Sequence, residues 1–217
     1  GIFACDEYQA FADVAVSLGM GTSGQEVMTA PFIIAPVGLS KDNTAANTQL
    51  FMNFWDAVNL DGRFRKHQWT LKVDPDAVLL PDRLRRRLLP HTPPTGQSMP
   101  SFFIKNCNKV PGSPDFPMMF GALEAFTTPA LESYLAAKKA LCMTLPWQAW
   151  GEDYFMGQCL AKIGVMSLTD FKMLSDQRCM GVDCNDGLTA AFHDFKTVEA
   201  WFGCWSQAVA ATPGADG

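Results

Sequence analysis

The chain carries no basic excess, no C-x-x-C pair, no apolar run long enough to cross a bilayer and no internal repeat. Each absence closes a class of function. With 17 Lys and Arg against 22 Asp and Glu the formal net charge is -5, the wrong sign for gripping a phosphate backbone, so nucleic acid is not an expected partner. The dense basic stretch Arg83, Arg85, Arg86 and Arg87 shares a short helical segment with Leu84, Leu88 and Leu89 and reads as a solvated helix face. Without a long apolar run there is no transmembrane segment to expect in this chain. No charged and apolar leader opens it either, so any signal or anchor is expected upstream.

What is present describes an ordinary folding domain. Of the 217 residues 48% are hydrophobic and 18% charged, with no composition break, so residues 1–217 are expected to form a single domain around one core. Seven cysteines are many for a reduced compartment and suggest an oxidising lumen. Cys179 and Cys184 lie close enough in sequence to staple a short loop, and the odd total leaves one thiol over.

Short apolar runs bounded by Gly, Pro or polar residues predict interior strands at Ile2–Cys5 and Phe32–Val37. A helix with Asp42 or Asn43 as cap carries Phe51, Phe54, Trp55 and Val58 on one face. Trp69–Val73 reads as a strand running into Asp74-Pro75-Asp76, followed by Ala77–Leu80 and a helix opened by Pro81. Residues 91–100 form a Pro-rich surface loop. Ser101–Lys105 and Met118–Phe126 read as further strands, Thr128-Pro129 opens a helix bearing Leu131, Tyr134, Leu135 and Leu141, and Glu152-Asp153 opens another that stops at Gly164. Thr189–Phe192 is strand-like, and a last helix carries Val198, Trp201, Phe202, Trp205 and Val209 before a loose tail, 212–217. Strands alternating with helices predict a layered α/β domain.

Three acidic or imidazole spots carry chemistry. On extended backbone Asp74 and Asp76 project to the same side, a pair suited to a hard divalent ion, although the triplet equally suits an ordinary turn. Glu152 and Asp153 sit in the first turn of a helix, where a carboxylate can act as general base or merely complement the helix dipole. His193 follows a buried apolar run and is either structural or a ligand beside carboxylates, with Lys196 close enough to offset phosphate charge.

Their order resembles the fringe and β-1,3-galactosyltransferase type of glycosyltransferase over most of residues 50–197. Trp69-Thr70-Leu71-Lys72-Val73-Asp74-Pro75-Asp76 is similar to that family's W-x-x-K-x-D-D-D strand, and Phe120–Phe126 with Thr127–Leu131 to its Gly-containing strand and Ser/Thr-started helix. Glu152-Asp153-Tyr154-Phe155-Met156-Gly157-Gln158-Cys159-Leu160 with Gly164-Val165 resembles E-D-x-x-x-G-x-C-L-x-x-x-G-V, and Phe192-His193-Asp194-Phe195 resembles F-H-x-F. Pro75 replaces the middle acid, Glu124 is unexpected in its strand, and no clear counterpart precedes Ile2 for the strand and loop that hold uracil.

The resemblance implies a GT-A-type, Rossmann-like three-layer α/β/α domain with a mixed, mostly parallel central sheet. It implies a metal-dependent inverting transferase that moves a hexose from a UDP-sugar donor to a hydroxyl of a glycan or glycoprotein acceptor in the Golgi or secretory-pathway lumen. Asp76 and His193 would bind Mn²⁺ (or Mg²⁺) and Asp153 would be the base. Asp74 would line the nucleotide-ribose or metal site of the donor, Lys72 and Lys196 would also serve the donor, and Glu152 and Trp150 would sit near the acceptor. A degenerate sugar- or nucleotide-binding protein of the same fold, and a divalent-metal hydrolase, are the competing readings.

Overall fold

A computed structural model describes residues 1–21, 24–40 and 43–212. Asp42 and the tail from residue 213 onward lie outside the described residues. In chain order the elements are β1 (Phe11–Ala12), β2 (Ser17–Met20), β3 (Glu26–Met28), β4 (Ala30–Pro31), β5 (Gly38–Leu39), β6 (Ala45–Ala46), α1 (Thr48–Asp61), β7 (Trp69–Val73), β8 (Val78–Leu79) and α2 (Pro81–Leu88). There follow β9 (Phe102–Lys105), β10 (Leu123–Thr127), α3 (Thr128–Ala137), α4 (Glu152–Lys162), β11 (Met166–Thr169), β12 (Leu174–Asp176), β13 (Ala191–His193) and α5 (Val198–Ala210).

The fold is mixed α/β, but its sheet is divided. The largest sheet runs β11-β9-β10-β7 and a second runs β12-β13-β8. β10 is antiparallel to both β7 and β9, and only β11 joins β9 in parallel. The expected mostly parallel central sheet is therefore corrected to small mixed sheets. The reason is topological: after β8, α2 and β9 the chain returns along β7 in the opposite sense as β10, giving the register Lys72↔Glu124 and Thr70↔Phe126.

Strand alternation sorts side chains to two faces. Phe103 and Phe126 pack with Met52 and Trp55 of α1, Leu131 and Tyr134 of α3, and Phe155 and Leu160 of α4. Ile104, Leu123 and Ala125 face the other way, onto Leu84 and Leu88 of α2 and Leu79 and Ala191 of the second sheet. Val78 and Phe192 cover the far side of that sheet with Cys204 and Ala208 of α5. Each fully buried Phe or Leu contributes about 1.5–3 kcal/mol, so these faces dominate the stability.

α1 ends where Gly62 takes φ 73° and donates its N–H to Val58 O, a left-handed stop that glycine adopts without steric cost. Its N-cap is Asn47, whose side chain does not cap its own helix. Instead Asn47 Oδ1 accepts the N–H of Glu152 at 2.9 Å and caps α4.

Other expectations need correction. Ile2–Ala4 is a 3-10 turn without a buried residue, and Phe32–Val37 is irregular, with Ile33 78% exposed. An apolar run is interior only where another layer covers it, and between Phe11 and Ala46 only Thr29, Ala35 and Ser40 are buried among the described residues. Phe11 and Phe32 do reach α1, stacking edge-on against Phe54 at 5.0 and 5.9 Å. Leu141 lies beyond α3 and is exposed. In α5 the buried residues are Cys204 and Ala208, while Val198, Phe202, Trp205 and Val209 are exposed.

Arg83 does not belong to a solvated face. It is 2% exposed and donates to Asp186 O at 2.6 Å, Thr189 O at 2.8 Å, Thr212 Oγ1 at 2.9 Å and Ala208 O. It thereby locks α2 to the loop before β13 and to the last turn of α5. The disulfides are Cys107–Cys179, Cys142–Cys159 and Cys184–Cys204, and Cys5 is free. The expected Cys179–Cys184 staple is absent because each cysteine has a partner on a neighbouring element. Among the described residues no helix is long and apolar enough to cross a membrane.

Candidate functional site

β7 delivers Asp74, and the chain then turns. Ala77 N donates to Asp74 O at 3.0 Å, closing a four-residue turn with Pro75 at its second position, where a fixed φ favours the bend. The two acids thus sit on a turn rather than on extended backbone. β8 follows and pairs antiparallel with β13, Phe192 opposite Val78. Phe195 N donates to Asp76 O at 3.0 Å, holding the exit of β13 against the turn.

This register brings distant residues together. One ligand atom each from Asp74, Asp76 and His193 all lie within 4.8 Å of one another. His193 Nε2 is 3.3 Å from Asp76 Oδ1, and Nδ1 is bonded to Asp176 Oδ2. Asp176 is buried on β12, which pairs in parallel with β13 in the register Asp176↔His193. A carboxylate on one ring nitrogen orients the imidazole and leaves the other for a ligand. Lys196 is bonded to Asp76 Oδ2 and lies 3.5 Å from Asp194 Oδ2.

The electrostatics follow from these neighbours. For Asp76, burial alone would raise the pKa, but the Lys196 bond and the charges of His193 and Lys196 outweigh it and hold the carboxyl below its ordinary value. For His193, burial opposes the charge, yet the Asp176 bond and the nearby carboxylates raise its pKa. Two carboxylates and an imidazole are a donor set that fits a divalent ion such as Mn²⁺.

Behind this cluster lies a second group. Lys72, 5% exposed, donates to Asp74 Oδ1 at 2.7 Å, Glu152 Oε1 at 2.6 Å and Gly121 O at 2.7 Å. Its ammonium also stands 4.4 Å from the centre of the Phe51 ring. Burial penalises the ammonium, but Glu152, Glu124 and Asp74 together raise its pKa. All three of its N–H groups are used inside the protein. Lys72 thus forms an internal bridge between β7, the Gly121 segment and α4. Glu152 is likewise turned inward and buried against Lys72, and this partner keeps its pKa low despite burial.

Asp153, beside it, accepts N–H groups from Gly121 at 2.9 Å through Oδ2 and from Tyr154 at 2.7 Å through Oδ1. Burial, then the negative charge of Glu152, push its pKa up to about 7. Trp150 is half-buried, its ring 4.9 Å from Tyr154, and its carbonyl accepts from Thr48 Oγ1 at 2.9 Å. A Cβ at Gly121 would lie 2.7 Å from Glu152 Oε1, so a larger residue there would displace that carboxylate from Lys72.

No family model matches the chain, and no curated protein does.

The geometry adds residues that sequence reasoning did not single out for the site. Asp176 becomes visible only through the β12–β13 register, and Asn47 only through its bond to α4. Glu124 lies opposite Lys72 in the sheet, is 0% exposed, and has no hydrogen-bond partner on either oxygen among the described residues. With its Oε1 3.7 Å from Lys72 Nζ, burial dominates over the Lys72 charge and drives its pKa well upward.

Proposed function

We propose that the protein is a divalent-cation-dependent inverting glycosyltransferase that moves a hexose from a UDP-sugar to a hydroxyl of a glycan or glycoprotein acceptor. The observation that carries the reading is the meeting of Asp74, Asp76 and His193 within 4.8 Å, with Asp153 joined to the same cluster through Gly121 and Lys72. The resemblance in motif order supplies the reaction class and the GT-A-type reading of the fold.

In this mechanism Asp74, Asp76 and His193 would hold Mn²⁺ or Mg²⁺, which when bound supplies positive charge to a departing diphosphate. Asp176 keeps the His193 ring oriented. Asp153 accepts the proton of the acceptor hydroxyl as that oxygen attacks the anomeric carbon and the bond to the diphosphate breaks, inverting the centre. A pKa of about 7 suits this task, because the base is then substantially ionised at neutral pH and still basic enough to take a proton. Lys196, exposed and on Asp76, is free to move to a phosphate oxygen. Three disulfides fit an oxidising compartment, and the Golgi lumen is the compartment this activity would require.

The test is calorimetric titration of UDP into the protein with Mn²⁺ and then with EDTA, for the parent and for Asp76→Ala. Metal-dependent binding in the parent, weakened at least tenfold by the substitution, is the expected result. A folded parent that binds no UDP under either condition would overturn the donor reading and favour a degenerate binder.

A further inference from the structure

We infer, on the reading of Asp74, Asp76 and His193 as a cation site, that Lys72 is a positioning residue: its buried ammonium ties Asp74 on the β7–β8 turn to Glu152 and Gly121, and so holds the cation ligands at a fixed spacing from Asp153.

The connection is short and complete. The backbone of Gly121 serves both ends, its N–H bonded to Asp153 Oδ2 at 2.9 Å and its carbonyl accepting from Lys72 at 2.7 Å. Lys72 then reaches Asp74 Oδ1 at 2.7 Å. Asp74 N also donates to Ala122 O at 3.2 Å, so the turn is fastened to the same segment twice. At the other end Glu152 Oε1 sits 2.6 Å from Lys72, while its N–H is held by Asn47. Three donors of one ammonium thus fix a turn, a strand entry and a helix start. Glu124, opposite Lys72 in the sheet, stands 3.7 Å from the ammonium through Oε1.

Simple electrostatics and positioning predict opposite signs for the removal of Lys72. A cation beside a ligand carboxylate repels an incoming divalent ion, so deleting the charge alone would tighten metal binding. If the lysine instead sets where Asp74 stands, deleting it loosens the ligand set and weakens binding. Removing Glu152 is expected to weaken binding on either account, since a nearby negative charge is lost as well, so Lys72 is the position that discriminates.

Mn²⁺ alone is the probe, with binding followed by loss of the electron paramagnetic resonance signal of the free ion in the parent, Lys72→Met, Lys72→Arg and Glu152→Ala. At least tenfold weaker binding in Lys72→Met, several-fold weaker binding in Glu152→Ala and partial recovery in Lys72→Arg are expected. A parent that fails to bind Mn²⁺ overturns the cation site and the tether with it. A parent that binds, with Lys72→Met equal or tighter, overturns the tether alone and leaves the proposed function standing. Should the substituted proteins not fold, the parent still decides. A lysine ammonium proton resonance that exchanges slowly with water and broadens with substoichiometric Mn²⁺ is expected, and its absence overturns the tether.

Discussion

At Asp153 two influences push the same way. Burial and the charge of Glu152 both favour the protonated carboxyl, lifting its pKa to about 7 from a usual value near 4. A carboxyl whose pKa is raised by folding contributes stability that is fully present below its unfolded value and is lost as pH rises through the folded one. Between roughly pH 4 and 7 the parent therefore loses on the order of 2–4 kcal/mol from this group. Asp153→Asn has no such slope. Urea unfolding at pH 5 and pH 8 should show the difference between variant and parent moving in the variant's favour at the higher pH, and an unchanged difference would refute the raised pKa. If the proposed transferase reading holds, the same ionisation predicts transfer rates that rise with pH through about 7 and then level. At this scale the residue types of Asp74, Asp76, Asp153 and His193 could be read from the sequence. What could not be read was their packing, because nothing in the spacing of Lys72 and Glu152 reveals that they pair with each other across 80 positions.

Registers decide what the elements do. Trp69–Val73 and the helices opened by Pro81, Thr128 and Glu152 were legible because apolar spacing and starting residues mark them locally. β11 and β12 were missed, being three or four residues long with weak alternation, and with β12 went Asp176. Cysteine pairing was illegible for a related reason, since Cys184 finds its partner on α5 rather than five residues upstream. That Cys184–Cys204 bond joins the loop ahead of β13 to the helix behind it, the same join that Arg83 reinforces. Replacing both cysteines by serine should cost about 3 kcal/mol through the freed loop, seen as a lower urea midpoint. Because β13 carries His193, the proposed cation site predicts weaker Mn²⁺ binding in the same variant. A midpoint within experimental error of the parent would show that Arg83 alone suffices there.

Across the whole molecule burial is uneven. The two helical and sheet faces around β9 and β10 hold the cores, whereas the stretch from Phe11 to Ala46 consists of strand pairs two to four residues long with Val14, Met20, Ile33 and Leu39 among its exposed apolar residues. Amide exchange should follow that division. Protection at Ser17–Met20 and Glu26–Met28 should fall at least about a hundredfold below that of Trp69–Val73 and Leu123–Thr127, since few buried contacts oppose local opening. Uniform protection would mean that the stretch is held by contacts beyond those described.

The β13–β8 pairing has a consequence for biosynthesis. Asp74 and Asp76 leave the ribosome long before His193, and Asp176 emerges between them. At about 5–20 residues per second, a nascent chain spends several seconds with the two carboxylates made and no imidazole to join them. The three-residue cluster therefore cannot assemble until translation has passed β13, and a truncated chain that stops short of it would lack the cluster altogether.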